Sequence, residues 1–91
     1  DGRGILILES AVEEPGVDTA DAIAAALERY PGSAFTTPGH CPSLRASLDG
    51  ADVYPVYVDH GGDTSALCAD KAARGGNARV LSDRNEYVDP C

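Results

Sequence analysis

The chain has 91 residues, a single-domain length at which one hydrophobic core is only just sufficient. Fifteen acidic residues against seven basic ones give a formal charge of −8, scattered along the chain, which argues against nucleic acid and anionic lipid as partners and suits a soluble secreted domain. The longest unbroken apolar run, residues 5–8, is far short of the roughly 20 residues that a membrane-spanning helix needs, so no membrane contact by this piece is expected. The start at Asp1 and the lack of methionine suggest a piece of a longer precursor.

The first predicted element is a strand over residues 4–10, GILILES. Ile5 and Ile7 face one side and Leu6 and Leu8 the other, so both faces are expected to be covered, as in a central strand. The chain leaves through a Pro15-Gly16 turn. Asp18 then has the properties of a helix N-cap, with Asp21 adding negative charge at the positive end of the dipole. A helix to about Tyr30 is predicted, with Ala20, Ile23, Ala24, Leu27 and Tyr30 as its apolar stripe. Pro31-Gly32 ends it.

Residues 33–37, SAFTT, read as a short strand closed by Pro38-Gly39. The following loop, HCPSLRASLDG, is expected to be irregular, with Leu44 and Leu48 on one helical turn and Asp49-Gly50 as a turn signal. Residues 52–59, DVYPVYVD, are the second predicted central strand. Pro55 cannot donate to a ladder, so a bulge is expected there. Asp63 caps a second helix running to about Arg74, stopped by Gly75-Gly76, with Cys68, Ala69 and Ala72 on its inner face. Residues 77–82, NARVLS, read as the last strand, before a polar tail.

This order predicts an α+β fold: a βαββαβ two-layer sandwich in the ferredoxin-like arrangement, with one antiparallel sheet and both helices on one face. One domain is expected, with its core over 4–82 and a tail over 83–91. The uncovered sheet face is the first place to look for a ligand.

The three cysteines form no C-x-x-C pair and resemble neither a zinc ribbon nor a thioredoxin site. A structural disulfide and an extracytoplasmic location are expected. Cys41 with Cys68 is the leading pairing, clipping the irregular loop to the second helix and stabilising the fold by roughly 3 to 4 kcal/mol. Cys91 is then unpaired or joined to another chain. The rival pairing joins Cys68 to Cys91.

His40 beside Cys41 suggests a Cys-His nucleophile, but adjacent side chains seldom point at each other. Asp59, His60 and Asp63 offer local density for a metal, yet read better as a turn in which Asp59 ends a strand and Asp63 starts a helix. Glu13-Glu14 reads as solvated surface rather than a glycosidase pair. No enzymatic activity, cofactor or metal is expected.

The aromatic residues are Tyr30, Phe35, Tyr54, Tyr57 and Tyr87. Tyr54 and Tyr57 have opposite parity on their strand, so an undisturbed strand leaves one of them on the uncovered face, where a ring can stack on a sugar. Tyr54, Tyr57 and Phe35 are the candidate binding residues.

Taken together, ILILES, the alanine-striped helix, the C-P-S-L loop, VYPVYVD followed by Gly-Gly, and ALCADKAARG resemble a SPOR domain, the sporulation-related repeat. The likeness covers about residues 4–82 and is nearest to the divergent, cysteine-bearing versions on extracytoplasmic parts of actinobacterial envelope proteins. It implies a βαββαβ fold and a module that binds the glycan backbone of peptidoglycan through its open sheet face. The strong acidity departs from such a binder, and no ligand motif of the family carries over residue by residue. A cell-wall glycan or an envelope protein is thus the expected partner. The alternative is a protein-interaction or sensor domain of an envelope receptor or kinase, monomeric or weakly or disulfide-linked as a dimer.

Overall fold

A computed structural model of the chain describes residues 2–38, 47–48, 50–81 and 88–91. The elements are β1 (Gly4–Val12), α1 (Thr19–Arg29), β2 (Ala34–Phe35), β3 (Ser47–Leu48), β4 (Ala51–Gly61), α2 (Thr64–Arg74) and β5 (Asn77–Val80). An antiparallel sheet in the order β2-β4-β1-β5 carries both helices, so the chain is the predicted α+β, βαββαβ fold. The two strands expected to be central are the two in the middle. Both run longer than expected because their flanking residues continue the same ladder, Val12 opposite Val53 at one end and Gly4 opposite Gly61 at the other.

The outer strands are shorter than expected. Over 33–37 only Ala34 and Phe35 pair, and the last strand stops at Val80. The loop before β4 is not irregular throughout. Ser47 and Leu48 pair with Asp52 and Ala51, so Leu48 belongs to a strand and not to a helical turn, whereas Leu44 lies outside the described residues. The cause is local: two residues, Asp49-Gly50, separate the paired segments, and this is the dipeptide that favours a tight hairpin.

The side of β4 on which β3 lies is set by hydrogen bonds. The Asp52 carbonyl accepts from the Glu13 N–H at 2.9 Å, on the β1 side, while the Pro55 carbonyl accepts from the Thr36 N–H at 3.2 Å, on the β2 side. Backbone groups of alternate residues point to alternate neighbours, so Ala51 turns toward the β2 side. Strands β2 and β3 are therefore two pieces of one sheet edge.

The same bonds correct the expected bulge at Pro55. Its ring nitrogen faces the β2 side, where the ladder ends at Phe35 opposite Val56, so the missing N–H interrupts nothing. Pro55 pairs in register with Ser10. The register instead shifts between Ile7 and Glu9, where Leu8 is the extra residue, and between Gly4 and Ile5, where His60 is the extra residue on β4.

Helix α1 packs on the sheet through Ile23 and Ala26, with Leu27 and Tyr30 half-buried. The predicted stripe was displaced: Ala20 and Ala24 are exposed. In a run of alanines the sequence offers several equivalent stripes, and contact with the sheet chooses among them. Helix α2 buries Leu67, with Cys68 half-buried and Ala69 and Ala72 exposed. Leu67 joins Leu6 and Ala78 in a core cluster, and Leu8 packs against it.

Two glycines make this packing possible. A Cβ on Gly4 would stand 2.7 Å from Leu67 Cδ2, so the leucine seats directly over β1 only because position 4 has no side chain. At Gly76 the backbone has φ of 92° and a Cβ would lie 2.5 Å from the Ile7 carbonyl oxygen. Both conditions reserve this entry to β5 for glycine.

The disulfide joins Cys68 to Cys91, with the Cα atoms 5.5 Å apart. This overturns the Cys41–Cys68 pairing and the expectation that Cys91 is unpaired or intermolecular; Cys41 itself lies outside the described residues. The reason is the path of the tail. The Val80 N–H of β5 donates to the Val88 carbonyl at 3.3 Å, and Lys71 of α2 pairs with Asp89. That route brings Cys91 beside α2. Among the described residues no helix is long and apolar enough to cross a membrane.

Candidate binding face

Cross-strand partners share a sheet face, and successive residues alternate between faces. Leu6 and Ala78 belong to the helix side, since both touch Leu67 of α2. Ile5 and Ile7 on β1, Val53, Pro55, Tyr57 and Asp59 on β4, and Asn77 and Arg79 on β5 therefore point the other way.

This second face is not bare. Ile5 is 1% exposed, Val53 is 5% exposed and Pro55 is buried, so the expectation of a freely open face holds only in part. Two adjacent rows lie toward one end of this face. One runs Asn77, Ile7, Tyr57, Ala34 across β5, β1, β4 and β2. In the other, Arg79 and Asp59 stand on either side of the buried Ile5. Asn77, Ala34 and Asp59 are exposed and Ile7, Tyr57 and Arg79 half-buried, so an aromatic ring and an isoleucine are framed by an amide, a carboxylate and a guanidinium.

Strand β4 is undisturbed between Val53 and Asp59, so the opposite parity of its tyrosines has the expected consequence. Tyr57 is the one on the face away from the helices. Tyr54 pairs with the buried Ala11 and Phe35 with Val56, both on the helix side. The three candidate residues are thus not one site: Tyr57 stands apart from Tyr54 and from Phe35, which is 44% exposed at the sheet edge. Asn77 and Arg79 were missed, and Asp59 was read only as the end of a strand or a candidate ligand. The available signal was the alternation of β5, where Ala78 between two polar residues marks which side faces the core.

Beside this face, Arg3 reaches Asp59 at 2.8 Å. Asp59 also accepts from the Gly61 N–H at 2.7 Å, and this bond, ahead of the Arg3 contact, holds its carboxyl below the usual range. The Arg79 guanidinium bends back to donate to the Ala78 carbonyl at 2.7 Å.

The Asp59-His60-Gly61-Gly62-Asp63 segment is a structural corner. Asp59 closes a turn on Gly61, the His60 carbonyl accepts from the Asp63 N–H at 3.1 Å, and Asp63 caps α2 by accepting from the Ala66 N–H at 2.9 Å. The three potential ligands are directed to different tasks. His60, the extra residue of the β4 bulge, turns its Nε2 to Asp70 at 2.8 Å, and Arg74 clamps the same carboxylate at 2.5 and 2.7 Å. Arg74 first, and His60 after it, bring the Asp70 pKa down to about 2. Both partners of the His60–Asp70 pair are largely buried, at 19% and 15% side-chain exposure. The sequence offers no sign of this pair, since it joins a strand end to the second turn of the following helix.

On the helix side, Arg29 of α1 reaches Glu9 at 2.6 Å. Arg3, Arg29, Lys71 and Arg74 each therefore meet a carboxylate. Glu13 and Glu14 are exposed at the exit from β1, as the surface reading expects. Comparison with protein-family models, with curated proteins and with solved structures gives no match.

Proposed function

We propose that the chain is a non-catalytic, extracytoplasmic binding module that takes the glycan backbone of peptidoglycan on the sheet face opposite its helices. The observation that carries this reading is the row of Asn77, Ile7, Tyr57 and Ala34, flanked by Asp59 and Arg79. A sugar ring presents an apolar face to an aromatic side chain and hydroxyls to surrounding donors and acceptors, and this row offers both. The SPOR resemblance supplies the ligand class, and the Cys68–Cys91 bond supports an oxidising compartment.

Sedimentation with purified sacculi tests the reading. The oxidised protein is expected in the pellet, and Tyr57→Ala, checked for retained folding by circular dichroism, is expected to weaken retention about fivefold to tenfold, the worth of one aromatic contact. A wild-type protein left wholly in the supernatant sinks the glycan reading. A second reading, an interaction or sensor domain of an envelope receptor or kinase, is favoured by one observation, the exposed Phe35 on the edge strand β2. Edge strands are ready templates for another chain.

A further inference from the structure

The described part of the tail, residues 88–91, is held to the other described residues by little besides its disulfide. Its described backbone contact is the 3.3 Å bond from the Val80 N–H to the Val88 carbonyl, and its described ion pair is the solvent-exposed Lys71–Asp89 contact. The Cys91 N–H donates to Asp89 within the tail itself, at 2.8 Å. Val88, Asp89 and Cys91 are exposed and Pro90 is half-buried, and among the described residues the buried hydrophobic side chains lie between Ile5 and Ala78. An exposed ion pair of this kind contributes little to holding a segment in place.

Where the tail is held is specific. It lies against the outer edge of β5, whose other edge is paired with β1, and it ends on the flank of α2. The Val80 amide that it occupies is the outward-pointing donor of a terminal sheet strand. The adjacent Leu81 amide points inward and donates to Arg3 at 2.8 Å.

We propose that the Cys68–Cys91 bond is a removable strap that keeps the β5 edge closed, and that its reduction opens the edge while the sandwich stays folded. The reductant is a dithiol. One of its thiolates attacks the sulfur of Cys91, an exposed residue, and Cys68 leaves as a thiolate and takes up a proton. The second thiol of the reagent then displaces Cys91 from the mixed disulfide. Two electrons and two protons pass to the protein, which ends with two cysteine thiols, and the reductant ends as a cyclic disulfide. Residues 88–91 then leave Val80 and α2, and the outward Val80 amide loses its Val88 partner.

Amide hydrogen exchange on the full chain, oxidised and after treatment with dithiothreitol, tests this. The expected result is at least a tenfold faster exchange of the Val80 and Cys91 amides, with Leu6 and Val56 remaining among the slowest amides of the chain. The Cys68→Ser/Cys91→Ser double variant should reproduce the reduced pattern without reductant. Unchanged protection of Val80 in the reduced protein would show that the tail needs no strap. Loss of core protection, or of the helical circular dichroism signal, in either reduced or double-variant protein would show that the bond sustains the whole fold. Either outcome overturns the proposal.

Discussion

The two halves of the molecule share one plan and secure it differently. Each contains a long central strand, an Asp-capped helix of 11 residues and a short outer strand. In the first half α1 is seated by Ile23 and Ala26, and the long-range polar tie that joins it to the sheet is the exposed Arg29–Glu9 pair. In the second half α2 buries one leucine and adds three tethers: Asp70 to His60, Lys71 to Asp89, and Cys68 to Cys91. An alanine-rich helix lies close to its sheet and needs few anchors. A helix with a single large apolar residue rests on that residue, while its links run to the end of β4 and to the tail.

The comparison predicts unequal responses to equal cuts. Leu67→Ala is expected to cost about 3 to 4 kcal/mol, because Leu67 is fully buried and the small residues Gly4 and Ala78 beside it leave little to collapse into the hole. Ile23→Ala, at a site 8% exposed in the first half, should cost less, about 2 to 3 kcal/mol. Urea denaturation of the two variants side by side measures the difference, and an equal or reversed order would remove the claim that α2 hangs on one residue.

Gly4→Ala sharpens the same point from the other side. A methyl group 2.7 Å from Leu67 Cδ2 has to displace a side chain that has nowhere to go, and a loss of about 1 to 2 kcal/mol is expected. In the Gly4→Ala/Leu67→Ala double variant the added methyl occupies part of the vacated space. The double loss should therefore be smaller than the sum of the single losses, and strict additivity would show that the two positions do not meet.

A tether of α2 can be cut without touching the core. Asp70→Asn removes the charge that Arg74 and His60 share, with an expected cost of about 1 to 2 kcal/mol at neutral pH. Its pH dependence is distinctive. The folded-state pKa of Asp70, about 2, lies below the ordinary value of 3.8, so its contribution is complete above that ordinary value and is lost as pH falls toward 2. The wild-type stability curve should accordingly fall more steeply than that of Asp70→Asn between about pH 4 and pH 2. Parallel acid limbs in the two curves would count against the assignment.

The smallest effects should be the most alike. Asp18 accepts from the Asp21 N–H at 3.1 Å and Asp63 from the Ala66 N–H at 2.9 Å, the same cap on each helix. Asp18→Ala and Asp63→Ala should each cost about 1 kcal/mol by thermal or urea unfolding. A much larger loss for Asp63 would mean that the corner running from Asp59 to Asp63 acts as one cooperative unit.

Local chemistry was legible wherever it was decisive within a few residues. Both caps, both helix stops and both central strands follow from short patterns, and the opposite parity of Tyr54 and Tyr57 follows from strand geometry alone. Features that depend on contacts between distant segments were not legible. The buried stripe of α1 passes through Ala26 rather than Ala24, because nothing in a string of alanines distinguishes one face from another until a sheet is present. Leu67 was passed over for its neighbours because one large residue in 11 makes no periodic stripe. Cys68 found Cys91 because a tail without helical or strand pattern still has a path, and that path is drawn by Val80 and Lys71.

The amino-acid sequence by itself determined the elements, their order and hence the split βαβ plan, because strand alternation, helix caps and glycine stops are properties of neighbouring residues. Tertiary structure decided the disulfide partner, the direction each half-buried face takes and the company Tyr57 keeps. These depend on register, on the two single-residue bulges at Leu8 and His60, and on the contacts of Val88 with Val80 and of Asp89 with Lys71. Register is a relation between strands far apart in the chain, and a shift of one residue exchanges the two faces of everything beyond it.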